Sequence, residues 1–475
     1  MRWKSAVLLL TVLSGAPLLV QSSELDDLLS GFDTEENASG GADADIDELL
    51  SGFDDQETMG EGTEEAAPSS LPAWLAIKGS LSLRSAINFA HDPPPPGTPD
   101  YRGLSMFRGL GELVTDFSFE EWRGRIGGTA FYDAAYHLNG QRDLYTDEYL
   151  DEYEREIELG EAYLQGSLAD DLDIKIGRQI VVWGKSDNLR VNDVLNPLDL
   201  RWPGMTDIRY LRLPVTMTKL DYYVGDWNSS FIVVNEPRFA KTPVYNGEFY
   251  QGNQPAPELK TPGWSLENQQ PALSVNGIFS GWDLSFYGAW VYPEKGSVER
   301  DLSGIPYRTY DKALLAGTAV NVALGNWLVK AEAAYWDDLT YTNIEDKKPR
   351  VDILAGIEYS GFTETAITLE IVNRHIFDYD KLLAEPPDAV QEDTMQYALR
   401  FTRDFAHDTL HLNIVVASYG LWAEDGGFER VQLDYDLNDE IVLSGGVILY
   451  ESGDIPGFAG VGDNDNVFVE VEYNF

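Results

Sequence analysis

The chain ends with Val467-Phe468-Val469-Glu470-Val471-Glu472-Tyr473-Asn474-Phe475. Every second residue from Val467 to Phe475 is apolar, and Glu470, Glu472 and Asn474 fall on the opposite face of an extended strand. One apolar face and one polar face are what the closing strand of a water-filled barrel in a membrane requires. The alternative is the edge strand of a soluble β-sandwich.

The same segment carries a second signal at its end. Val471, Tyr473 and the terminal Phe475 resemble the C-terminal insertion signal of bacterial outer-membrane proteins. This resemblance implies that the barrel-assembly machinery recognises the last strand and that outer-membrane lipid surrounds the barrel.

The beginning of the chain predicts export. Arg2 and Lys4 precede an apolar run from Ala6 to Val20, which is typical of a secretory signal peptide and predicts one over residues 1–22. An uncleaved anchor is the alternative. No later stretch approaches the roughly 20 apolar residues of a membrane helix. The mature protein is therefore expected either to be periplasmic or to cross a membrane as strands.

Composition narrows the possible functions. The chain has no cysteine, which excludes disulfides, thiolate metal sites and a cysteine nucleophile. Its net charge of −46 makes nucleic acid an unlikely partner and favours a self-repelling tail or a lumen that attracts cations. We expect no cofactor and no bound metal.

An acidic tail follows the signal peptide over residues 23–72. Between Ser22 and Leu71 there are sixteen acidic residues and no Lys or Arg, a composition that predicts disorder. The motif at residues 25–33 recurs at residues 46–54. The apolar positions of the two copies are Leu25, Leu28, Leu29 and Phe32, and Ile46, Leu49, Leu50 and Phe53.

Each copy has the spacing of an apolar stripe on a short amphipathic helix. Helices of this length are marginal alone and need a surface to fold on, so the motifs predict docking into a groove of a periplasmic partner. Two linked copies would act together on a multimeric partner. The alternatives are chaperone recognition during export and a motif that caps the barrel's own periplasmic mouth.

From Trp74 onward the hydrophobic pattern has a period of two. We count about eighteen such segments, with sixteen possible, each long enough to cross a membrane when tilted. Tight turns alternate with long loops along residues 73–475, as in outer-membrane barrels. The predicted fold is therefore all-β, a transmembrane antiparallel barrel of about eighteen strands.

Aromatic residues recur beside the tight turns, where an interfacial belt requires them. The predicted belt residues are Trp122, Trp227, Trp282, Trp327, Phe362 and Phe405.

One strand departs from the pattern. Alternation from Leu172 to Val182 places Arg178 on the lipid face, where a charge at the membrane midplane costs roughly 2 to 4 kcal/mol. We expect a bulge at Gly177 that turns Arg178 inward. A position high at the interface is the alternative.

The segment that follows mixes charges, aromatic residues and prolines, which predicts an ordered loop. A loop of this length either folds inward and narrows the pore or forms an external lid, and the sequence favours neither. The candidate pore-lining residues are Arg178, Trp183, Lys185, Asp187, Arg190, Asp193, Asn196 and Arg201.

Three short motifs in this region carry a family resemblance. Gly177-Arg178-Gln179, Val182-Trp183-Gly184 and Asn196-Pro197-Leu198-Asp199 resemble a proteobacterial outer-membrane family classed as a domain of unknown function, whose members are similar to large porins. The clear match runs from Ile174 to Leu213. Lys185 departs from the pattern, in which an acidic residue is more usual. Genes of that family often neighbour an RND-superfamily, MMPL-like exporter, which implies traffic of lipids or other hydrophobic molecules.

The sequence thus predicts an outer-membrane transport protein with its tail in the periplasm. The leading hypothesis is a conduit or acceptor for lipidic cargo that works with an inner-membrane RND-type transporter docked on the tail motifs. The alternatives are a passive, cation-preferring porin for small polar solutes and an outer-membrane enzyme. Of the five histidines, His411 and His375 have no serine and carboxylate partners at motif spacing, so we expect no enzyme.

Overall fold

The computed structural model describes residues 71–475 apart from residues 251, 253, 421 and 456. They form one closed barrel of 18 antiparallel strands, as predicted. We number the barrel strands in chain order. They are β1 Leu75–Asn88, β2 Gly103–Phe119, β3 Trp122–Asp133, β4 Arg155–Ala169, β5 Leu172–Gln179, β6 Val215–Val224, β7 Trp227–Val234, β8 Gln270–Phe279, β9 Trp282–Val291, β10 Ala313–Leu324, β11 Trp327–Leu339, β12 Lys348–Phe362, β13 Thr365–Ile376, β14 Asp393–Phe405, β15 Leu410–Tyr419, β16 Gly426–Asn438, β17 Ile441–Glu451 and β18 Asn466–Asn474.

The signal peptide over residues 1–22, and the tail with both copies of its motif, lie outside the described residues. Among the described residues, no helix is long and apolar enough to span a membrane.

Pairing between the first and last strands closes the barrel. β1 pairs with β18 from Ser80 opposite Asn474 to Asn88 opposite Asn466, and every other strand pairs with its neighbour in the chain. Backbone hydrogen bonds therefore connect the whole wall, which leaves no sheet edge between neighbouring strands at these pairings.

The terminal strand has the two faces that its sequence predicts. Val467, Val469, Val471, Tyr473 and Phe475 are all exposed on the outside of the barrel, whereas Phe468 between them is buried. The inward carboxylates Glu470 and Glu472 approach Arg84 at 3.8 Å and Arg209 at 3.0 Å. The outward face of the strand is thus apolar, as contact with hydrocarbon requires, and the carboxylates of its inward face form ion pairs.

Connections are short at one end of the barrel and long at the other. The short turns are residues 120–121, 170–171, 225–226, 280–281, 325–326, 363–364, 406–409 and 439–440. The turn predicted near Gly361 lies slightly later, because the pairing of β12 with β13 is irregular between Tyr359 and Phe362. Leu75 pairs with Phe117, close to the first short turn, so the chain enters the barrel at the short-turn end.

The long connections carry the remaining regular structure. Three short α-helices span Ala135–Leu138, Asp147–Tyr153 and Ile208–Leu211, and three 3₁₀-helices span Arg142–Leu144, Leu266–Asn268 and Lys381–Ala384. The strands Glu258–Leu259, Ser297–Arg300 and Pro306–Thr309 form a separate small sheet. Thr146 caps the longest helix, since its hydroxyl oxygen accepts from the backbone N–H of Tyr149 at 3.2 Å.

The six predicted belt residues lie at strand ends beside short turns. Trp122, Trp227, Trp282 and Trp327 each begin a strand, and Phe362 and Phe405 each end one. Trp282 stacks on Phe279 with ring centroids 4.4 Å apart. Their position at one end of the wall is the geometry that an interfacial belt needs.

The bulge expected at Gly177 is absent, and that prediction is wrong. Gly177 pairs with Tyr163 and Met217, and Arg178 pairs with Ala162 and Thr216, so there is no register shift between the two positions. Gly177 is required for another reason: its φ is +132°, and an added Cβ would lie 2.3 Å from the carbonyl oxygen of Ala162.

Arg178 lies at the outer end of its strand instead. It is the penultimate residue of β5, and its guanidinium donates to Glu236 at 2.7 Å and to Glu158 at 3.1 Å. Two carboxylates therefore neutralise a charge that hydrocarbon would not tolerate, and no bulge is needed to turn Arg178 inward.

Candidate functional site

Residues 180–214, which connect β5 to β6, fold into the barrel. We call them the crossing segment. They bind Glu332 on β11 and Glu112 on β2, two strands that lie half the ring of 18 apart. The segment is therefore attached to opposite walls of the lumen, which resolves the choice between an inward loop and an external lid in favour of the inward loop.

Glu332 is the first of two wall carboxylates that hold the segment. Its Oε1 accepts from the backbone N–H groups of Lys185 at 2.5 Å and Ser186 at 2.7 Å. Its Oε2 accepts from the side-chain amide of Asn192 at 2.8 Å. Glu332 is buried, so these charge-assisted hydrogen bonds replace its water shell.

Glu370 on β13 holds the next residues in the same way. It accepts from the backbone N–H groups of Asp187 at 2.6 Å, Asn188 at 2.9 Å and Leu189 at 3.0 Å. Consecutive N–H groups that converge on one carboxylate form an anion-binding nest. Glu332 is the sixth of the 13 residues of β11 and Glu370 the sixth of the 12 of β13, so the attachment lies near mid-height.

Ion pairs reinforce this attachment. Asp187 pairs with the buried Lys330 of β11, and Lys185 Nζ lies 3.1 Å from Asp283 of β9. Lys185, which departs from the family pattern, thus has an acidic partner on the wall.

Two glycines allow the close approach of segment and wall. Gly184 has φ +94°, and a Cβ there would lie 2.8 Å from Glu332. On the wall, a Cβ at Gly317 of β10 would lie 1.8 Å from Oδ1 of Asn192. Both positions therefore exclude larger residues, the first by backbone conformation as well as by contact.

An apolar cluster lies beside these polar attachments and extends towards the long connections. Trp183, Leu189, Val191 and Leu195 of the segment pack into a buried cluster with inward side chains of β6 to β14. Trp183 lies 5.0 Å from the ring of Tyr287. Burial of this apolar area gives the segment one fixed position.

The middle of the segment is fixed by Arg201, one of the largest fully buried side chains. Its guanidinium pairs with Asp199 at 2.6 Å, with Glu156 of β4 at 2.8 Å and with Glu152 at 3.2 Å. Such a buried cation is tolerated only with this many acceptors.

The second half of the segment reaches the opposite wall. Tyr450 of β17 donates to the carbonyl oxygen of Pro203 at 2.6 Å, and Arg84 of β1 donates to that of Met205 at 3.1 Å. Tyr210 donates to Glu112 at 2.8 Å. Glu112 is the tenth of the 17 residues of β2, so this attachment also lies near mid-height.

The two ends of the segment are joined by Asn196, the first residue of the Asn-Pro-Leu-Asp motif. Asn196 donates to the carbonyl oxygens of Gln179 at 3.1 Å and Leu213 at 3.0 Å, and its Oδ1 accepts from Val181 at 2.8 Å. Asn196 thus ties the end of β5 to the residues before β6.

Asp193 makes a second set of contacts that hold the base of the segment together. It pairs with Arg190 at 3.1 Å and with Arg212 at 2.9 Å, and the carbonyl oxygen of Arg190 accepts from Arg374 of β13 at 3.0 Å.

The predicted pore residues therefore divide into groups. Trp183, Asp193, Asn196 and Arg201 are buried, which corrects their expected place on the free lumen: they hold the segment instead. Lys185, Asp187 and Arg190 are partly buried and paired, and Arg178 lies at the end of β5.

The part of the segment that faces water is not among the residues predicted from the sequence. Asp207, Ile208 and Arg209, at the start of the helix Ile208–Leu211, are the residues concerned, with Ile208 and Arg209 exposed. Asp207 caps this helix, because its side chain accepts from the N–H of Arg209 at 2.9 Å. The sequence signal for this cap is an Asp two residues before an Arg.

His411 is not arranged for nucleophilic catalysis. The two ring nitrogens of His411 lie 2.7 Å from Asp404 and 3.1 Å from Asp436, so carboxylates occupy both positions that a hydroxyl nucleophile would need. Within the described part of the chain, no group of three or more His, Cys, Asp or Glu residues could hold a metal ion.

The comparisons with known proteins agree with this architecture. The model of a family described as "Protein of unknown function (DUF1302)" matches residues 105–475. No curated protein matches the chain.

Among solved structures, OccAB2 from Acinetobacter baumannii is 10% identical, with 84% of this chain and 98% of that chain covered and a TM-score of 0.50. OccK9 (OpdG) from Pseudomonas aeruginosa is also 10% identical, with the same 84% and 98% covered and a TM-score of 0.50. This likeness shows the fold, that of a porin-like barrel.

Proposed function

The chain belongs to the DUF1302 family of proteins of unknown function, and we propose that it is an outer-membrane channel for small polar solutes with a preference for cations. The crossing segment forms its constriction. The observation that carries this proposal is the attachment of one segment to Glu332 and to Glu112 on opposite walls near mid-height.

A polar route through the lumen fits the described wall better than a lateral route. Every neighbouring pair of strands is hydrogen bonded, β1 with β18 included. The second half of the crossing segment presents Asp207 and Arg209 to the lumen, and Glu472 faces them from β18. A hydrated solute is compatible with such charged walls, whereas a lipid chain is not.

The cation preference rests on charge. The net charge is −46, and the short turns carry exposed carboxylates without any Lys or Arg of their own. These turn residues are Glu120, Glu121, Asp170, Asp171, Asp226, Glu364, Asp408, Asp439 and Glu440. A ring of like charges at one mouth raises the local concentration of cations.

Planar-bilayer recording of the purified full-length protein tests the proposal. We expect a steady ohmic current, and in a salt gradient a reversal potential of the sign that cations set. The tail-deleted chain should conduct equally, since the constriction lies within the barrel. A barrel that inserts but passes no current, and liposomes that take up no small polar solute, would contradict the channel function.

We propose a second function for the tail, from the place where the chain enters the barrel. Leu75 begins β1 at the short-turn end, and short turns face the periplasm in outer-membrane barrels. The tail and its two motifs would then lie in the periplasm, within reach of an inner-membrane RND-type transporter or another periplasmic protein. In that case the barrel would serve as conduit or acceptor for hydrophobic cargo.

Charge argues against the tail as a cap on the barrel's own mouth. The tail is acidic and the short-turn rim is acidic, so the two repel each other. A synthetic peptide of residues 25–33 tests partner docking by capture of a purified RND-type transporter. Docking through the stripes is wrong if the Phe32→Ala, Phe53→Ala double variant of the full chain is captured as well as the unchanged protein.

Two features of the outer surface complete the proposal. The exposed aromatic residues at the short-turn end would lie at the headgroups of the inner leaflet. The exposed side chains of Val471, Tyr473 and Phe475 would be read by the barrel-assembly machinery before they meet lipid.

A further inference from the structure

We infer that Arg209 sets the ion selectivity of this channel, as the basic side chain of the crossing segment that faces the water-filled lumen. This inference rests on the proposed function and names the residue that regulates it. Three observations support it: the exposure of the Arg209 side chain, the contacts that hold this side chain in place, and the charges around its guanidinium.

Exposure separates Arg209 from the other basic residues of the crossing segment. Its side chain is 45% exposed, against 13% for Lys185, 20% for Arg190, 2% for Arg201 and 17% for Arg212. A buried charge acts weakly on a passing ion, because the ion cannot come close to it. Arg209 is the one among these five that an ion can approach.

Arg209 is also held in place. It donates to Glu472 of β18 through both terminal nitrogens, at 3.2 and 3.0 Å, a bidentate geometry that fixes a guanidinium. The next residue, Tyr210, is hydrogen bonded to Glu112 of β2 at 2.8 Å. The helix Ile208–Leu211 is therefore tied to two wall strands, and the position of the charge is constant.

The charges around Arg209 decide the sign of its effect. Its partners are Asp207 at 3.2 Å and Glu472 at 3.0 Å, so two carboxylates surround one cation. With Arg209 present, the group carries a single net negative charge. Without it, two carboxylates would face the lumen, and cations would be favoured more strongly.

The chain offers a matched control. Arg102 lies in the long connection between β1 and β2, its side chain is 46% exposed, and it pairs with Asp100 two residues earlier. Arg209 is 45% exposed and pairs with Asp207 two residues earlier. The two arginines thus share exposure and local partner, but Arg102 belongs to an external connection and Arg209 to the crossing segment.

The experiment is the reversal potential of single channels in a salt gradient, recorded for the full chain and for Arg209→Gln and Arg102→Gln. We expect Arg209→Gln to raise the cation-to-anion permeability ratio roughly two- to fourfold, the effect of one unit charge several ångströms from the ion path in water. Arg102→Gln should leave the ratio unchanged. Equal ratios for both variants and the unchanged protein would overturn the inference.

A second variant guards against a purely structural effect. Glu472→Gln removes a negative charge from the same group, so it should lower the permeability ratio, whereas loosening of the helix would move both variants in the same direction. Shifts of the same sign for Arg209→Gln and Glu472→Gln would also overturn the inference. A wild-type barrel without current defeats the proposed function itself, while ohmic current with an unchanged ratio defeats only the role of Arg209.

Discussion

The side-chain amide of Asn192 donates to the carboxylate of Glu332 at 2.8 Å, and this contact joins the crossing segment to the wall near its mid-height. The same amide also donates to the carbonyl oxygen of Thr318 at 3.2 Å. Asn192 is fully buried, so one residue bridges a charged group of β11 and the backbone of β10. The position of the constriction thus depends on a few polar contacts that can be changed one at a time.

We expect Glu332→Gln to loosen the first half of the crossing segment. The amide keeps one acceptor oxygen but presents an NH₂ group to N–H donors of Lys185, Ser186 or Asn192. The loss of a charge-assisted hydrogen bond costs about 1.5–3 kcal/mol. Single-channel current should become larger or noisier, and trypsin should cleave after Lys185 or Arg190 faster than in the unchanged protein.

Glu358→Gln is the comparison for this variant. Glu358 is also an inward carboxylate, but it is more exposed and lies 3.5 Å from Lys330. It should change current noise and cleavage far less. Equal behaviour of the two variants would show that the hydrogen bonds of Glu332 do not hold the segment.

Gly317→Ala should displace Asn192. The added methyl would lie 1.8 Å from Oδ1 of Asn192 and 3.3 Å from the carbonyl oxygen of Ala333, so the segment has to move away from β10. Overpacking of this kind typically costs 1–3 kcal/mol. The midpoint of thermal unfolding, followed by the change in electrophoretic mobility of the folded barrel, should fall.

Gly288→Ala is a matched substitution on the neighbouring strand β9. A Cβ there meets nothing within 4 Å, so its unfolding midpoint should equal that of the unchanged protein. If Gly317→Ala is as stable as Gly288→Ala, the close approach of Asn192 to the wall is not a feature of the folded protein.

The barrel could be predicted from the sequence because its main determinant is local. Alternation in a strand separates lipid from water at every second residue, and Val467 to Phe475 show this without any knowledge of their neighbours. The positions of the short turns could be predicted for the same reason. The predicted bulge at Gly177 failed because the sequence shows a glycine but not its φ or the register of its neighbours.

The roles within the crossing segment could not be predicted in this way. Asn196 and Arg201 are polar residues of the kind that line pores, yet both are buried: Asn196 by contacts with the two ends of the segment, and Arg201 by Glu156, 45 residues earlier in the chain. Conversely, Arg209 lies beside Glu472, more than half the chain away. Burial of a polar side chain is decided by such distant partners, which periodicity does not reveal.

Arg201→Met should destabilise the whole barrel. The substitution removes a buried cation, leaves Asp199 without its ion-pair partner, and leaves Glu156 with Lys241 alone. Breaking a buried ion pair on one side typically costs 3–5 kcal/mol. The unfolding midpoint should fall strongly, and Arg102→Met, whose pair with Asp100 is exposed on both sides at 46% and 27%, should have a much smaller effect. A reversed order would contradict the structural role of Arg201.

The external connections should lose stability as the pH rises through 7, because of Glu248. Burial raises the pKa of this carboxyl to about 7. Its side chain is 15% exposed, and it accepts from Asn88 at 2.7 Å. A raised pKa means that the folded loops favour the protonated acid. The stabilising contribution is therefore complete below the ordinary pKa of 4.5 and is lost as the pH rises towards 7, by about 3 kcal/mol at most.

Glu248→Gln mimics the protonated acid and should remove this dependence. His91, whose Nε2 lies 3.8 Å from Glu248, has a pKa lowered by burial. Its protonation therefore destabilises the folded loops as the pH falls below its usual pKa of 6.5, which opposes the effect of Glu248. The effect of Glu248 is therefore measured as the difference in hydrogen-exchange rate between the unchanged protein and the variant at each pH. Hydrogen exchange of residues 235–269 should be faster in the unchanged protein than in Glu248→Gln at pH 8 and equal at pH 5. A difference that does not vary between these two pH values would show that Glu248 stays in one protonation state throughout the range.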